Sequence, residues 1–267
     1  MSADPKIVSG ESILLREDAG GVVTLTLNRP AQFNSLSLDL LVALQSELER
    51  VGRDPQARVV VIAGAGRAFC AGHDLKEMRS DPSKAFQKAL FEQCSRLMLT
   101  LTSIPQPVIA RVHGIATAAG CQLVAMCDLA VASDSARFAV SGVNLGLFCS
   151  TPSVALSRNL GRKQAMEMLL TGDFIDAQTA LARGLVNRVA APEQLDAELK
   201  KLTDAILAKT PVAITAGKQM FYRQLEMGLD EAYELASEVM ACNMMAEDAQ
   251  EGIDAFVAKR KPQWKGR

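Results

Sequence analysis

The chain has 267 residues, 49% of them hydrophobic, with 29 Lys and Arg against 30 Asp and Glu and a formal net charge of -1. That length buries one large core, or a core with an added helical layer. The balanced charge excludes a global field that would draw in nucleic acid or an anionic membrane surface, so any anionic ligand must be held by a local site.

No stretch reaches the ~20 apolar residues that a membrane span requires, and Met1 to Glu11 has no apolar signal-peptide segment. The six cysteines (Cys70, Cys94, Cys121, Cys127, Cys149 and Cys242) form no C-x-x-C pair and sit in apolar runs. They are expected to be buried free thiols in a reducing compartment, either the cytoplasm or, for a mature organelle enzyme, the matrix. No metal site and no prosthetic group is expected.

In chain order, Ser12 to Leu15 and Val22 to Leu27 are β-rich runs around the turn composition Asp18-Ala19-Gly20-Gly21, which predicts an antiparallel hairpin. Leu41, Leu44, Leu48 and Val51 recur at helical spacing behind Ser37, a candidate N-cap. Arg58 to Ala63 is an apolar run of strand length, as expected for a strand covered on both faces.

A Gly-rich loop follows, then a helix over Ala85 to Leu101, a strand over Pro107 to Val112, a helix over Ala118 to Met126 and a strand over Leu129 to Ala132. This alternation predicts an α/β core. After Pro192 the chain turns helical over Glu193 to Ala208, Val212 to Glu226, Leu229 to Asn243 and Glu247 to Lys259. A stripe of Leu229, Ala232, Tyr233, Ala236, Met240 and Met244 fits ordinary core packing or a subunit interface.

Two glycine-flanked segments each follow an apolar strand: Ala68-Phe69-Cys70-Ala71-Gly72-His73-Asp74-Leu75 and His113-Gly114-Ile115-Ala116-Thr117-Ala118-Ala119-Gly120-Cys121-Gln122. A dinucleotide fingerprint at the first fails, because G-x-G-x-x-G would need glycine at Phe69. In the second, the small residues Thr117 to Gly120 open a helix and let a ligand carbonyl approach main-chain N–H groups, although tight helix packing also permits them.

Together with Asn28-Arg29-Pro30-Ala31-Gln32-Phe33-Asn34-Ser35-Leu36, Cys127-Asp128 and the ending Phe256 to Pro262, these runs resemble the crotonase (enoyl-CoA hydratase/isomerase) superfamily over nearly the whole chain. Val143 to Pro152 is most similar to a subgroup of it, the enoyl-CoA hydratase domain-containing protein 3 group.

The resemblance implies a spiral of β-β-α units over residues 1–192 and a C-terminal helical region over 193–267 that supports trimers or dimers of trimers. It implies an acyl-CoA or enoyl-CoA thioester as ligand, with coenzyme A present as part of the substrate. The thioester oxygen would be held by the N–H groups of His73 and Ala119. Ala68, Cys70 and Ala71 would flank the adenine; Arg29, Gln32 and Phe33 would flank the pantetheine and phosphates, with Lys259 as a further cation. The lysine common after the family's Arg-Pro is Ala31 here.

The resemblance also implies where acids should stand. The family's two glutamate stations fall on Gln122 and Gly142, and a third station, aspartate in some relatives, falls on Ser150. None of these side chains titrates near neutrality, and loss of a positioned general acid or base lowers a rate about a hundred- to ten-thousandfold. The expected protein is formally an enoyl-CoA hydratase-type lyase of fatty-acid metabolism with weak or absent hydration. The alternatives are a non-catalytic acyl-CoA binder, or a thioester hydrolysis or decarboxylation through the same oxyanion site.

His73 is the one ring beside the proposed hole that could titrate near neutrality, and its plainer fate is to face solvent. His113 is expected to be structural, Cys149 and Cys70 to be packing residues, and Glu77 and Glu92 to lie on solvated faces.

Overall fold

A computed structural model describes residues 12–267. The expectation for Met1 to Glu11 lies outside the described residues. The first half of the chain sends successive strands to two sheets.

β1 (Leu14–Ala19) and β2 (Val22–Leu27) form the predicted antiparallel hairpin, closed by Gly20 and Gly21, both at positive φ. α1 (Leu38–Gly52) starts at Ser37, whose side chain accepts from Leu40 N, and buries Leu40, Leu41, Leu44, Leu48 and Val51. Then β3 (Val59–Gly64), β4 (Ala68–Cys70), α2 (Leu75–Ser80) and α3 (Lys84–Ser103) make one unit. β5 (Val108–Val112), β6 (Ile115–Thr117) and α4 (Ala119–Met126) make the next, and β7 (Leu129–Ser133), β8 (Arg137–Ala139) and α5 (Ser150–Asn159) a third.

The first strand of each unit joins one sheet, ordered β1-β2-β3-β5-β7-β10, and the second joins another, ordered β4-β6-β8-β9. This is the spiral of β-β-α units. The chain continues through α6 (Arg162–Thr171), β9 (Ile175–Asp176), α7 (Ala177–Ala182), β10 (Arg188–Ala190), α8 (Leu195–Leu207), α9 (Pro211–Gln224), α10 (Leu229–Met244) and α11 (Glu247–Val257).

Two short strands depart from the sequence expectation. β4 and β6 lie where a loop and a helix entrance were predicted, because three-residue strands carry too little periodicity to be read from sequence.

The continuous apolar run of β3 is explained by cover on both faces. Val60 and Ile62 join the main core with Leu25, Leu27, Leu44 and Phe69. Val59 joins Ile109, Val131 and Leu195, where α8 lies over the other face with Leu199, Leu202 and Ile206. α8 therefore packs directly on the large sheet. α10, in contrast, has no buried residue, and Leu229, Tyr233 and Met240 are exposed.

α9 is fastened by a buried charge. Lys218 Nζ lies 2.7 Å from Asp128 Oδ2 and donates to the Leu101 and Gln106 carbonyls at 2.7 and 2.8 Å. Tyr222 donates to Asp128 Oδ1 at 2.7 Å. Burial lowers the Lys218 pKa while Asp128 opposes the shift. Five of the six cysteines are buried as expected. Cys242 is exposed, because α10 lies at the surface.

Removing one partner of a buried pair leaves an uncompensated charge. Lys218→Met is therefore expected to destabilise the fold by about 3–5 kcal/mol, read by urea denaturation. The double variant with Asp128→Asn should lose less than the sum of the two single changes.

Candidate active site

The two glycine-flanked bends meet. Asn34, fully buried at φ 55°, donates to the Ala65 and Ala68 carbonyls at 2.8 Å each and accepts from Arg29 N at 2.9 Å, fixing the Arg29–Ser35 segment to the first bend. Leu36 N donates to Gly72 O and Asp74 N donates to Leu36 O, a parallel bridge that pairs Leu36 with His73. Because peptide groups alternate along extended chain, this bridge turns the His73 N–H to the opposite side.

On the second bend, Ala118 adopts φ 51°, ψ -119°, a conformation that glycine accepts more readily. It is held by donation from Ala118 N to Ala139 O. The first turn of α4 then presents N–H groups that have no intrahelical acceptor. Among the described residues, neither His73 N–H nor Ala119 N–H has a hydrogen-bond acceptor.

Glycine permits this approach at two points. A Cβ on Gly120 would collide with the Cys70 carbonyl. At Gly72, φ +91°, a Cβ would lie 2.9 Å from Ala118 Cβ and 3.4 Å from Ala119 N. The second distance places the two bends in contact.

Both bends border a cavity of about 520 Å³. Its apolar wall includes Leu75, Met78, Phe91, Leu147, Phe148 and Pro152, and its polar groups come from His73, Ser141, Cys149, Ser150 and Thr151. Among the described residues, no Asp, Glu, Lys or Arg lines it.

His73 does not face solvent. Both ring nitrogens are inaccessible and without a hydrogen-bond partner among the described residues, and the ring meets Phe91 edge to face at 5.4 Å. Burial pulls its pKa down to about 4, only partly offset by the Leu36 backbone. Burial against Phe91 of α3 holds the ring neutral, which the local sequence does not reveal.

The other predicted residues divide sharply. Ala71, His73, Ala119, Gly142 and Ser150 line the cavity. Gln122 is buried but is not among the lining residues, and its Oε1 has no partner among the described residues. Ala68 and Cys70 are buried strand residues, and burial pushes the Cys70 thiol up to about 12. Gln32 and Lys259 are exposed and also lie off the cavity wall.

Arg29 is engaged internally: it pairs with Asp74 at 2.9 Å and donates to the Ser35 carbonyl at 2.5 Å. Burial raises the Asp74 pKa, but Arg29 and the Lys76 and Glu77 amides outweigh it and the carboxyl is lowered. Glu77 is no free surface acid, since it accepts from Leu38 N at 2.9 Å and caps α1.

Arg67 is not singled out by the sequence reading. Its guanidinium lies 4.2 Å from the centroid of the Phe33 ring, and it is exposed. Its place in the turn just after Gly66 gives no signal beyond a solvated charge.

Gly142 has a structural reason for being glycine. A Cβ there would lie 2.6 Å from Leu147 O and 2.7 Å from Cys149 Sγ, closer than real Cβ atoms come. The Gly142 N–H donates to Cys149 Sγ at 3.3 Å.

The enoyl-CoA hydratase/isomerase family model matches residues 17–267. The chain belongs to that family. It is 47% identical to the Xenopus laevis enoyl-CoA hydratase domain-containing protein 3, mitochondrial, over 91% of this chain and 83% of that one. The crystal structure of an enoyl-CoA hydratase of Mycobacterium smegmatis superposes with a TM-score of 0.94 at 57% identity, covering 95% of this chain and 99% of that one. Human enoyl Coenzyme A hydratase domain-containing protein 3 gives 0.92 at 43% identity, covering 95% and 100%. This family member therefore has the crotonase fold that its motifs implied.

Two outcomes test the site. As pH falls from the ordinary 6.5 of histidine to about 4, the unfolded chain binds a proton that native His73 refuses. Stability is thus complete above that window and falls through it, by about 3 kcal/mol. His113, whose pKa is also lowered by burial, acts in the same direction. The His73→Leu variant should show a shallower loss of denaturation midpoint between those pH values. Gly120→Ala should destabilise by about 1–3 kcal/mol from overpacking, measured by urea denaturation.

Proposed function

We propose that the cavity binds an acyl-CoA thioester with its carbonyl oxygen between the main-chain N–H groups of His73 and Ala119. The observation that carries this reading is the pair of acceptor-free amides on one apolar cavity. Preorganised donors of this kind stabilise a developing oxyanion without reorganising, and one of them is worth about a hundred- to a thousandfold in rate.

Arg67, exposed beside Phe33, rather than Arg29, is the freer cation for coenzyme A phosphate, because Arg29 already has its carboxylate. Coenzyme A enters as part of the substrate; no prosthetic group is part of the proposal.

The same wall argues against efficient hydration. Adding water across an enoyl double bond requires a group that activates the water and one that delivers a proton to carbon. Among the described residues, the lining offers neither as a carboxylate. We assign the protein as an enoyl-CoA hydratase-type lyase by kinship, with hydration weak or absent. The absent carboxylates equally favour a second reading, acyl-CoA binding without double-bond chemistry, or thioester cleavage.

The exposed apolar residues of α10, with the depression of about 380 Å³ between α9 and α10, support a homotrimer or a dimer of trimers. No helix among the described residues is long and apolar enough to cross a membrane. The mitochondrial name of the Xenopus relative supports an organelle matrix, and the bacterial structure supports a cytoplasm. The five buried thiols suit either reducing compartment.

Steady-state hydration of crotonyl-CoA is expected about a hundredfold or more below that of a glutamate-bearing relative; turnover equal to such a relative would refute the assignment. Gly142→Glu should not restore activity, because its Cβ collides with Leu147 O and Cys149 Sγ. Arg67→Ala should weaken butyryl-CoA binding, read by calorimetry, without lowering the denaturation midpoint. Light scattering should return a trimer or hexamer.

A further inference from the structure

We infer that Cys149 is an acyl acceptor: its thiol takes the acyl group from a bound acyl-CoA, forming an S-acyl cysteine and releasing coenzyme A. The inference rests on the acyl-CoA reading above and deepens it by naming the group that reacts.

Three observations carry it. Cys149 lines the same cavity as His73 and Ala119, so one ligand in that cavity meets all three residues. The thiol also occupies the space beside Gly142 where an acidic side chain would begin, 2.7 Å from an added Cβ. Glycine at 142 and cysteine at 149 are therefore complementary: the glycine leaves room for the sulfur and donates its N–H to it at 3.3 Å.

Finally, Cys149 is the N-cap of α5, a ten-residue helix. A helix N-terminus and an N–H donor both favour the thiolate. Burial opposes them and leaves the thiol above its ordinary value, with the Gly142 hydrogen bond lowering it. The resting sulfur is thus protonated.

The His73 ring nitrogens are inaccessible, so the side-chain nucleophiles on this wall are the Cys149 sulfur and the hydroxyls of Ser141, Ser150 and Thr151, and sulfur is the strongest of them. Behind it Cys121 is fully buried, pushed to about 12 by burial and further opposed by Cys149. It does not line the cavity.

In the reaction, the Cys149 sulfur forms a bond to the thioester carbonyl carbon. The carbonyl electron pair moves to oxygen, between the His73 and Ala119 amides. Collapse breaks the bond from carbon to the coenzyme A sulfur, which leaves with the electron pair and takes up the proton lost by the thiol. One thioester replaces another, and nothing is oxidised or reduced. Attack by water on the S-acyl cysteine would return the thiol and release a carboxylic acid, giving net thioester hydrolysis.

The test uses the full chain carrying Cys242→Ser, since Cys242 is an exposed thiol that would acylate adventitiously. The probe is butyryl-CoA, a saturated thioester to which a thiol cannot add across a double bond. Intact mass and peptide mapping should find one butyryl group on Cys149, labile to neutral hydroxylamine, with matching release of free coenzyme A. The rate should rise about tenfold per pH unit from 7 to 8, as the thiolate fraction grows. Cys149→Ala should lose the adduct while keeping butyryl-CoA affinity by calorimetry, which separates a chemical role from damage to the fold.

Binding to the parent without an adduct, or an adduct confined to another cysteine, would overturn the inference and leave the acyl-CoA reading intact. Absence of binding to both proteins would overturn both.

Discussion

The approach of the first turn of α4 to β4 governs this molecule. Gly120 lies against the Cys70 carbonyl so closely that no side chain fits, and Ala118 accepts a glycine-like conformation to begin the helix there. The consequence reaches Gly72, whose backbone is brought to Ala119 N. Two strands from different β-β-α units thus end at one cleft, each presenting an amide without an acceptor. An unpaired amide carries a desolvation penalty of about 1–3 kcal/mol when buried, and it becomes useful only when a ligand oxygen arrives.

The surrounding network keeps that geometry rigid. Asn34, Arg29 and Asp74 close a set of hydrogen bonds around the first bend, while Asp74 also caps α2. Such polar networks specify a single arrangement when fully satisfied. They also explain why a conspicuous arginine need not be a ligand contact: Arg29 is held by Asp74, while Arg67 remains exposed over Phe33.

The cleft's chemistry follows from what is missing on its wall and from what replaces it. Among the described residues no carboxylate lines the cavity, so the proposed oxyanion site rests on main-chain amides. The 141–152 segment packs around sulfur: the Leu147 carbonyl and the Cys149 thiol fill the region in front of Gly142. Restoring an acid there is a problem of backbone shape as well as of residue identity.

The helix of Leu41, Leu44 and Leu48, the doubly covered strand of Val59 to Ile62 and the two glycine-flanked bends were legible in the sequence. Their signals are local: hydrophobic period, Ser37 at a helix start, and small residues where backbones must approach. The family resemblance likewise pairs Ala119 with His73, residues far apart in the chain, and both line the same cavity.

Tertiary structure decided the rest. It put the His73 ring beside Phe91 and removed it from water, engaged Arg29 with Asp74, kept Gln122 off the cavity wall, and left Cys242 outside. The division has one physical reason. Helix and strand preferences, and the need for glycine at a tight bend, are properties of a short segment. Exposure, charge pairing and protonation depend on which distant segments fold against that segment.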